Sequence, residues 1–135
     1  MNREILFKAK RIDNCEWVEG YYLYAGGKYM ILNFTEKNSE IYHNMYEVQV
    51  KTICRYTGLC DKYGDKIWEN DIVSCPEGEC LGQINWNESE AGFYFDILLN
   101  TGNFCEESID DHLYCMEVIG NIFDNPELLE GGAEE

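Results

Sequence analysis

The sequence has 135 residues, of which 45% are hydrophobic and 14% are aromatic. That composition is too apolar for a disordered chain, and the length suits one domain or two small units with a core. The formal net charge is −16, with 26 Asp and Glu against ten Lys and Arg. Where this negative charge lies, we expect no binding to nucleic acids or anionic membranes, because both are bound through Lys and Arg.

The negative charge is concentrated in the second half of the chain. Residues 1–66 hold all ten Lys and Arg and nine Asp and Glu, for a net charge of +1, whereas residues 67–135 hold seventeen Asp and Glu and no Lys or Arg, for −17. Such a surface either keeps the protein solvated or attracts a basic protein partner. For the second case the candidate contacts are eight carboxylates: Glu77, Glu79, Glu88, Glu90, Glu106, Glu107, Asp110 and Asp111.

The first part of the chain predicts an antiparallel meander of β-strands. Gly26-Gly27 is a two-residue hairpin signal between two of these strands. Residues 35–44 are polar and have no clear period, so they predict a long loop, with a helical turn near 41–45. The predicted strands cover residues 5–11, 17–24, 28–34 and 47–50.

Residues 56–73 predict a hairpin that leads into a further strand. Asp61 can accept a hydrogen bond from the backbone two residues on, and Gly64 tolerates the positive φ that closes such a turn with a bulge. Glu69 and Asp71 lie in a second polar turn, where we expect them to accept hydrogen bonds from backbone amides rather than to act as an acid–base pair.

The remainder of the chain predicts short strands closed by one helical turn. Residues 93–99 form a near-continuous apolar run, residues 104–114 are acidic and ambiguous, and Asn125 and Pro126 suit the start of a helix. Strands are predicted at 81–86, 93–99 and 116–123, and the helical turn at 126–130. The prediction is mainly β: an N-terminal antiparallel unit, residues 1–55, joined to an SH3-like barrel, residues 56–135.

Two segments carry a resemblance to a known family. The pattern at 56–73 and the segment 117–129 (EVIGNIFDNPELL) are similar to motifs of the YopX-like proteins of phages and prophages, and residues 3–11 with Trp17 resemble the family's start. The resemblance implies a mainly β protein with an SH3-like barrel and no assigned enzymatic activity. The matching residues of the first motif are Tyr56, Thr57, Gly58, Leu59, Asp61, Gly64, Ile67, Glu69, Asp71, Ile72 and Val73.

The beginning of the sequence lacks the apolar run of a signal peptide, and no stretch reaches the length of a membrane span. We therefore expect a protein of the bacterial host cytosol. Seven Cys in that compartment predict free thiols or metal ligands rather than a disulfide framework.

The sequence contains four candidate ligands for a zinc site. Cys75 and Cys80 form one short-spaced pair and His112 and Cys115 a second, and four such ligands can close a tetrahedral site. The alternative, which we favour, is that these residues are core and surface thiols, with no metal and no cofactor.

No catalytic motif accompanies these residues. The only imidazoles, His43 and His112, are not placed beside a nucleophile by any motif. The sequence therefore favours a non-enzymatic protein-interaction module, which also has the means to self-associate through sheet edges.

Three alternatives stay open. In the first, the acidic surface imitates nucleic acid and inhibits a DNA-binding protein. In the second, the chain is a small enzyme or a zinc-binding protein. In the third, its basic residues bind nucleic acid. The last requires one shared face for the cations of the first half, among them Lys8, Lys10, Arg11, Lys51 and Arg55.

Overall fold

A computed structural model describes residues 6–75, 80–99 and 101–130. The chain divides into two compact units, Met1–Tyr56 and Thr57–Glu135. The protein is mainly β, as predicted, with a single four-residue α-helix in the described ranges, α1 (Glu127–Glu130). The strands are β1 (Phe7–Lys10), β2 (Trp17–Ala25), β3 (Lys28–Lys37), β4 (Glu40–Glu47), β5 (Cys54–Cys60), β6 (Lys66–Trp68), β7 (Asp71–Cys75), β8 (Cys80–Asn87), β9 (Gly92–Leu98), β10 (Phe104–Glu107) and β11 (Glu117–Asn121).

The first unit is built on an antiparallel sheet in which the strands lie in the order β4-β3-β2-β1-β5. Its small core consists of Ala9, Ile31 and Val48, each at most 2% exposed. Aromatic and aliphatic side chains from neighbouring strands pack against this core. They are Phe7, Val18, Tyr29, Tyr46 and Ile53.

The prediction of a long loop over residues 35–44 is wrong. These residues continue β3 to Lys37 and begin β4 at Glu40, and the two strands pair from Met30 to Glu47. Asn38 and Ser39 both have positive φ, of 54° and 67°, as a two-residue type I′ hairpin requires. β4 is exposed along most of its length, so its side chains show no buried period from which a strand could be predicted.

The second unit contains a five-stranded antiparallel sheet in the order β10-β9-β8-β7-β11. Its core is larger, because inward-facing residues of these strands meet those of β6 and of the segment that leads to β11. Closure of these strands into an SH3-like barrel stays a prediction. The fully buried core side chains include Ile67, Val73, Cys75, Ile84, Phe95 and Met116.

The acidic segment 104–114 resolves into β10 and a single turn of 3₁₀ helix, Leu113–Cys115. Ile109 and Cys115 are buried in the core of the second unit. The segment thus alternates between exposed carboxylates and buried apolar residues, which explains why its pattern was ambiguous.

The turn after β5 confirms the predicted hairpin and shows what its aspartate does. Gly64 has a φ of 88°. The Asp61 side chain is buried, and its Oδ1 accepts hydrogen bonds from the backbone N–H groups of Tyr63 and Asp65, at 3.0 and 2.9 Å. Its Oδ2 accepts a third, from the N–H of Val118 at 3.0 Å. One carboxylate therefore closes the turn and fixes it to β11.

The corner between β6 and β7 is organised by Asn70 and Asp71. Asp71 is 2% exposed, and its Oδ2 accepts a hydrogen bond from the backbone N–H of Trp68 at 2.8 Å, as predicted for a turn residue. Asn70 has a φ of 75°, donates its N–H to the carbonyl of Ile84 and accepts from the N–H of Ile122. The corner is thereby bonded to β8 and to the end of β11.

Candidate functional site

The four candidate zinc ligands lie in one region of the second unit. Cys75 and Cys80 are opposite each other in the β7–β8 register. The thiols of Cys75 and Cys115 both donate to the backbone carbonyl of His112, at sulfur–oxygen distances of 3.6 and 3.4 Å. Cys75 and Cys115 are therefore engaged as buried donors to one main-chain oxygen.

The His112 ring has other neighbours. It meets the ring of Phe95 edge-on at 5.4 Å, and its Nε2 lies 3.7 Å from Oε1 of Glu107. Within residues 6–75, 80–99 and 101–130, no group of three or more His, Cys, Asp or Glu side chains is arranged to hold a metal ion. All seven Cys are free thiols.

The candidate acidic residues are brought together in part. Glu90 follows β8 and approaches β10, where Glu106 and Glu107 line the same open depression of about 340 Å³. Phe93, Tyr94 and Ser108 complete its lining, while Asp110 lines a neighbouring depression with Leu59 and Ile109. Glu88 lies in the exposed β8–β9 turn and Asp111 follows Asp110. Glu77 and Glu79 lie outside the described residues.

An additional carboxylate, Asp96, lies on β9, the strand that contributes Phe93 and Tyr94 to this lining. It is directly opposite Glu106 in the β9–β10 register, which places two acidic side chains next to each other on one face. Partial burial and the charge of Glu106 raise the pKa of Asp96 above its usual value, although a hydrogen bond from Asn85 Nδ2, at 3.3 Å, acts in the opposite direction. The fold thus holds two carboxylates together at an energetic cost.

The same electrostatic field acts on two neighbouring groups. Burial and the charges of Asp96 and Glu106 raise the pKa of Tyr94. Burial and Glu107, whose Oε2 accepts a hydrogen bond from the Cys105 thiol at 3.6 Å, raise the pKa of Cys105. A raised thiol pKa disfavours the thiolate, so Cys105 is a poor nucleophile.

We define the acidic surface as Glu90, Tyr94, Asp96, Glu106 and Glu107. Asp96 and Glu106 lie on one face of the sheet, whereas Glu107, opposite Phe95 in the register, lies on the other face and lines the depression at the sheet edge. The sequence predicted its three glutamates but missed Asp96 and Tyr94, because residues 93–99 were interpreted as a continuous apolar run. The signal was present in the alternation of that strand, in which Phe93, Phe95 and Ile97 face the core and the residues between them do not.

The basic residues of the first unit do not share one face. Lys8 and Lys10 lie over the ring of Trp17, with Nζ 4.6 and 5.6 Å from its centroid. Arg55 is opposite Phe7 in the β1–β5 register and so belongs to the other side of the sheet. Arg11 makes a two-pronged bond with the carboxylate of Asp13, at 2.9 and 2.7 Å. Among the described residues, Lys8 and Lys10 therefore lie on one face of this sheet and Arg55 on the other.

The described part of the chain contains no helix with the length and apolarity of a transmembrane span. No curated protein matches the sequence closely enough to add a relative. A family model described as YopX protein matches residues 6–130. The matched region includes the hairpin with Asp61 and Asp71 and the strand with Val118. The hydrogen bonds of these three residues hold the second unit together. Because this match covers most of its length, the chain belongs to the YopX family.

Proposed function

We propose that the chain is a phage or prophage accessory protein that works in the host cytosol by binding a basic protein surface. The acidic surface is the contact area. The observation that carries the proposal is the Asp96–Glu106 pair, in which two carboxylates lie opposite each other on neighbouring strands. Residues 67–135, which include this pair, contain no Lys or Arg.

A basic partner would relieve the repulsion that the fold leaves in place. Like charges directly opposite each other in a sheet destabilise it. Partial burial, and then the charge of Glu106, raise the pKa of Asp96. A Lys or Arg side chain inserted between the two carboxylates would reverse the sign of this interaction. Aromatic area beside them, at half-buried Tyr94 and exposed Phe104, supplies apolar contact around the charges.

The test uses a fluorescent peptide of about ten residues that is rich in Lys and Arg, because oppositely charged surfaces bind in a salt-dependent manner. We expect its affinity for the full chain to fall steeply as salt rises. A triple variant, with Glu90→Gln, Glu106→Gln and Glu107→Gln, should bind the peptide at least about tenfold more weakly.

The matched control makes the same change of net charge elsewhere, with Glu16→Gln, Glu127→Gln and Glu130→Gln at exposed positions. Equal losses for both triple variants would show that net charge alone attracts the peptide and would refute a local site. Affinity that does not respond to ionic strength would also refute it.

The protein partner itself can be sought by capture from host lysate with the wild-type chain and both triple variants. A protein retained by the wild type and the control, but lost with the acidic-surface variant, is the expected result. Competition by duplex DNA for that protein would show that the acidic surface occupies a nucleic-acid site, the inhibitory mode that the charge asymmetry also suggests.

A further inference from the structure

One face of the sheet formed by β1–β4 carries the core of the first unit, and the other face is largely exposed. Residues opposite each other in the register, and residues two apart along a strand, share a face. Ile31 and its cross-strand partners Tyr22 and Tyr46 lie on the face that carries the core. The opposite face, which also carries Trp17 and Ala25, has seven further apolar side chains in neighbouring positions. They are Tyr21, Leu23, Met30, Leu32, Phe34, Ile41 and Met45, and we call them the apolar face.

The apolar face is open in the described chain. Tyr21 and Phe34 are each 52% exposed, Met45 53% and Ile41 68%. Since an aromatic side chain carries about 150–250 Å² of surface, the seven residues together leave roughly 500 Å² accessible. This accessible area is similar to that of the largest apolar patch on a typical monomer. A stable interface buries about 800 Å² on each partner, so the apolar face supplies part of the area that a dimer needs. A rim of polar residues would supply the rest.

The charged residues on this face indicate that its binding partner is a second copy of the chain. Three cations and three carboxylates share the face, so these charges sum to zero. A surface that is neutral, apolar at its centre and mixed at its rim meets a copy of itself without net repulsion. The charged residues are Lys8, Lys10, Lys28, Glu19, Glu36 and Glu47.

The distribution of these charges fits a two-fold axis that runs parallel to the strands. Such an axis places β1 of one copy opposite β4 of the other, because the strand order is β4-β3-β2-β1. Lys8 and Lys10 lie on β1, whereas the carboxylates of Glu36 and Glu47 lie on β3 and β4. Lys10 of each copy then lies at about the level of Glu36 of its partner, on both sides of the apolar centre, whereas Glu47, which pairs with Met30, lies further along the strands from Lys8 and Lys10.

We infer that the chain forms a symmetric homodimer in which the apolar faces of two copies pack against each other. This interface is separate from the acidic surface and does not depend on the function proposed for it. A dimer of this kind presents two acidic surfaces, so a partner with repeated basic segments would bind with avidity.

Sedimentation velocity on the full chain, from about 1 to 200 µM, tests the inference. We expect a monomer–dimer equilibrium, which Tyr21→Lys weakens at least about tenfold because the substitution brings two buried cations into one interface. The matched control is Tyr24→Lys in the same strand, at a residue that is 56% exposed but lies on the other face. The control should change the dissociation constant by less than about twofold.

A second variant, Met45→Lys on β4, guards against a local effect of Tyr21 on folding, and circular dichroism checks that every variant keeps its strand content. Added salt should leave the dimer intact or strengthen it, since the central contact is apolar, whereas it weakens peptide binding at the acidic surface. A monomer throughout the concentration range would overturn the inference. Equal weakening by Tyr24→Lys, or dissociation by salt, would overturn it as well.

Discussion

The carboxylate of Asp61 accepts a hydrogen bond from the backbone N–H of Val118, 57 residues further along the chain, at 3.0 Å. Close by, the N–H of Lys62 donates to the carbonyl of Met116 at 3.1 Å. The two sequence motifs of the family therefore meet at one point in the second unit. Their polar residues hold the fold together, which leaves the exposed surfaces for function.

Replacement of Asp61 should be among the most destabilising polar substitutions in the chain. Asp61→Ala leaves three backbone N–H groups without their acceptor, and we expect a loss of roughly 3 kcal/mol or more in the free energy of unfolding. Asp61→Asn keeps one acceptor oxygen for the turn but points an amide toward the N–H of Val118, so we expect about half that loss. Urea denaturation of the full chain measures both.

The control for this prediction is Asp65→Asn in the same turn. Asp65 is exposed, and it is its backbone N–H, rather than its side chain, that bonds to Asp61. Its substitution should change stability by no more than about 0.5 kcal/mol. If Asp61→Asn were as harmless as the control, the bond to Val118 would not contribute to stability.

The Asp96–Glu106 pair predicts an unusual pH dependence of stability. Burial, and then the charge of Glu106, raise the pKa of Asp96 above 3.8, the ordinary value that it regains in the unfolded chain. The folded state therefore holds a proton more tightly, so this residue stabilises the fold at acidic pH and this contribution is lost as pH rises through the raised pKa. Asp96→Asn should increase stability at neutral pH and make it less dependent on pH.

Urea denaturation of wild type and Asp96→Asn at a series of pH values from about 4 to 7 checks this expectation, because their difference removes the general effect of the net charge. Glu88→Gln, an exposed position in the β8–β9 turn, is the control and should run parallel to wild type. A difference between wild type and Asp96→Asn that stays constant with pH would contradict the argument.

Close contact between β8 and β9 depends on Gly82. A Cβ at this position would collide with the backbone carbonyl oxygen of Asp96 and lie 2.8 Å from Cε1 of Phe95, so one strand would have to move. We expect Gly82→Ala to cost about 2 kcal/mol or more and to weaken peptide binding at the acidic surface. In Gly92→Ala, where the nearest atom is 3.8 Å away, both quantities should stay close to wild type.

The seven thiols should react with iodoacetamide in an order set by burial and pKa. Cys15 and Cys60 are exposed and should be alkylated first, while Cys54, Cys75 and Cys115 should be protected until the chain unfolds. Cys105 should react more slowly than its partial exposure suggests, because burial and Glu107 raise its pKa. Mass spectrometry of digested protein after timed labelling gives the order.

Labelling in the presence and absence of a chelator extends this experiment to the proposed zinc ligands. The thiols of Cys75 and Cys115 donate to a carbonyl, so a chelator should leave their protection unchanged. Faster labelling of Cys75, Cys80 and Cys115 together after chelation would indicate a bound metal.

Hairpins with clear turn chemistry could be predicted from the sequence, and those without it could not. Gly26 and Gly27, with φ of 60° and 79°, and Gly64 mark turns whose residue types require positive φ. The β3–β4 hairpin was missed because Asn38-Ser39 is a weaker turn signal and because both faces of β4 are largely exposed. β4 is held by main-chain hydrogen bonds to β3, and such bonds cannot be predicted from the pattern of hydrophobic residues.

The acidic surface was predictable in composition but not in geometry. The absence of Lys and Arg after Lys66 identified the acidic half. The opposition of Asp96 and Glu106 depends on the register of β9 and β10, and a shift of one residue would place their side chains on different faces. Register is set by long-range packing, so it could not be deduced from these short segments.

The separation between Asp61 and Val118 also delays their hydrogen bond during synthesis, because Val118 is made long after Asp61. At about 5–20 residues per second, a ribosome needs roughly 3 to 11 s to make the 57 residues between them, whereas a hairpin forms in about 1–10 µs. The nascent chain therefore carries an incompletely bonded second unit while these 57 residues, about two-fifths of the 135, are made. Every strand of the first sheet from β1 to β4 is already made by then. A premature stop before Val118 removes the strand that completes the second unit and spares the sequence of the first.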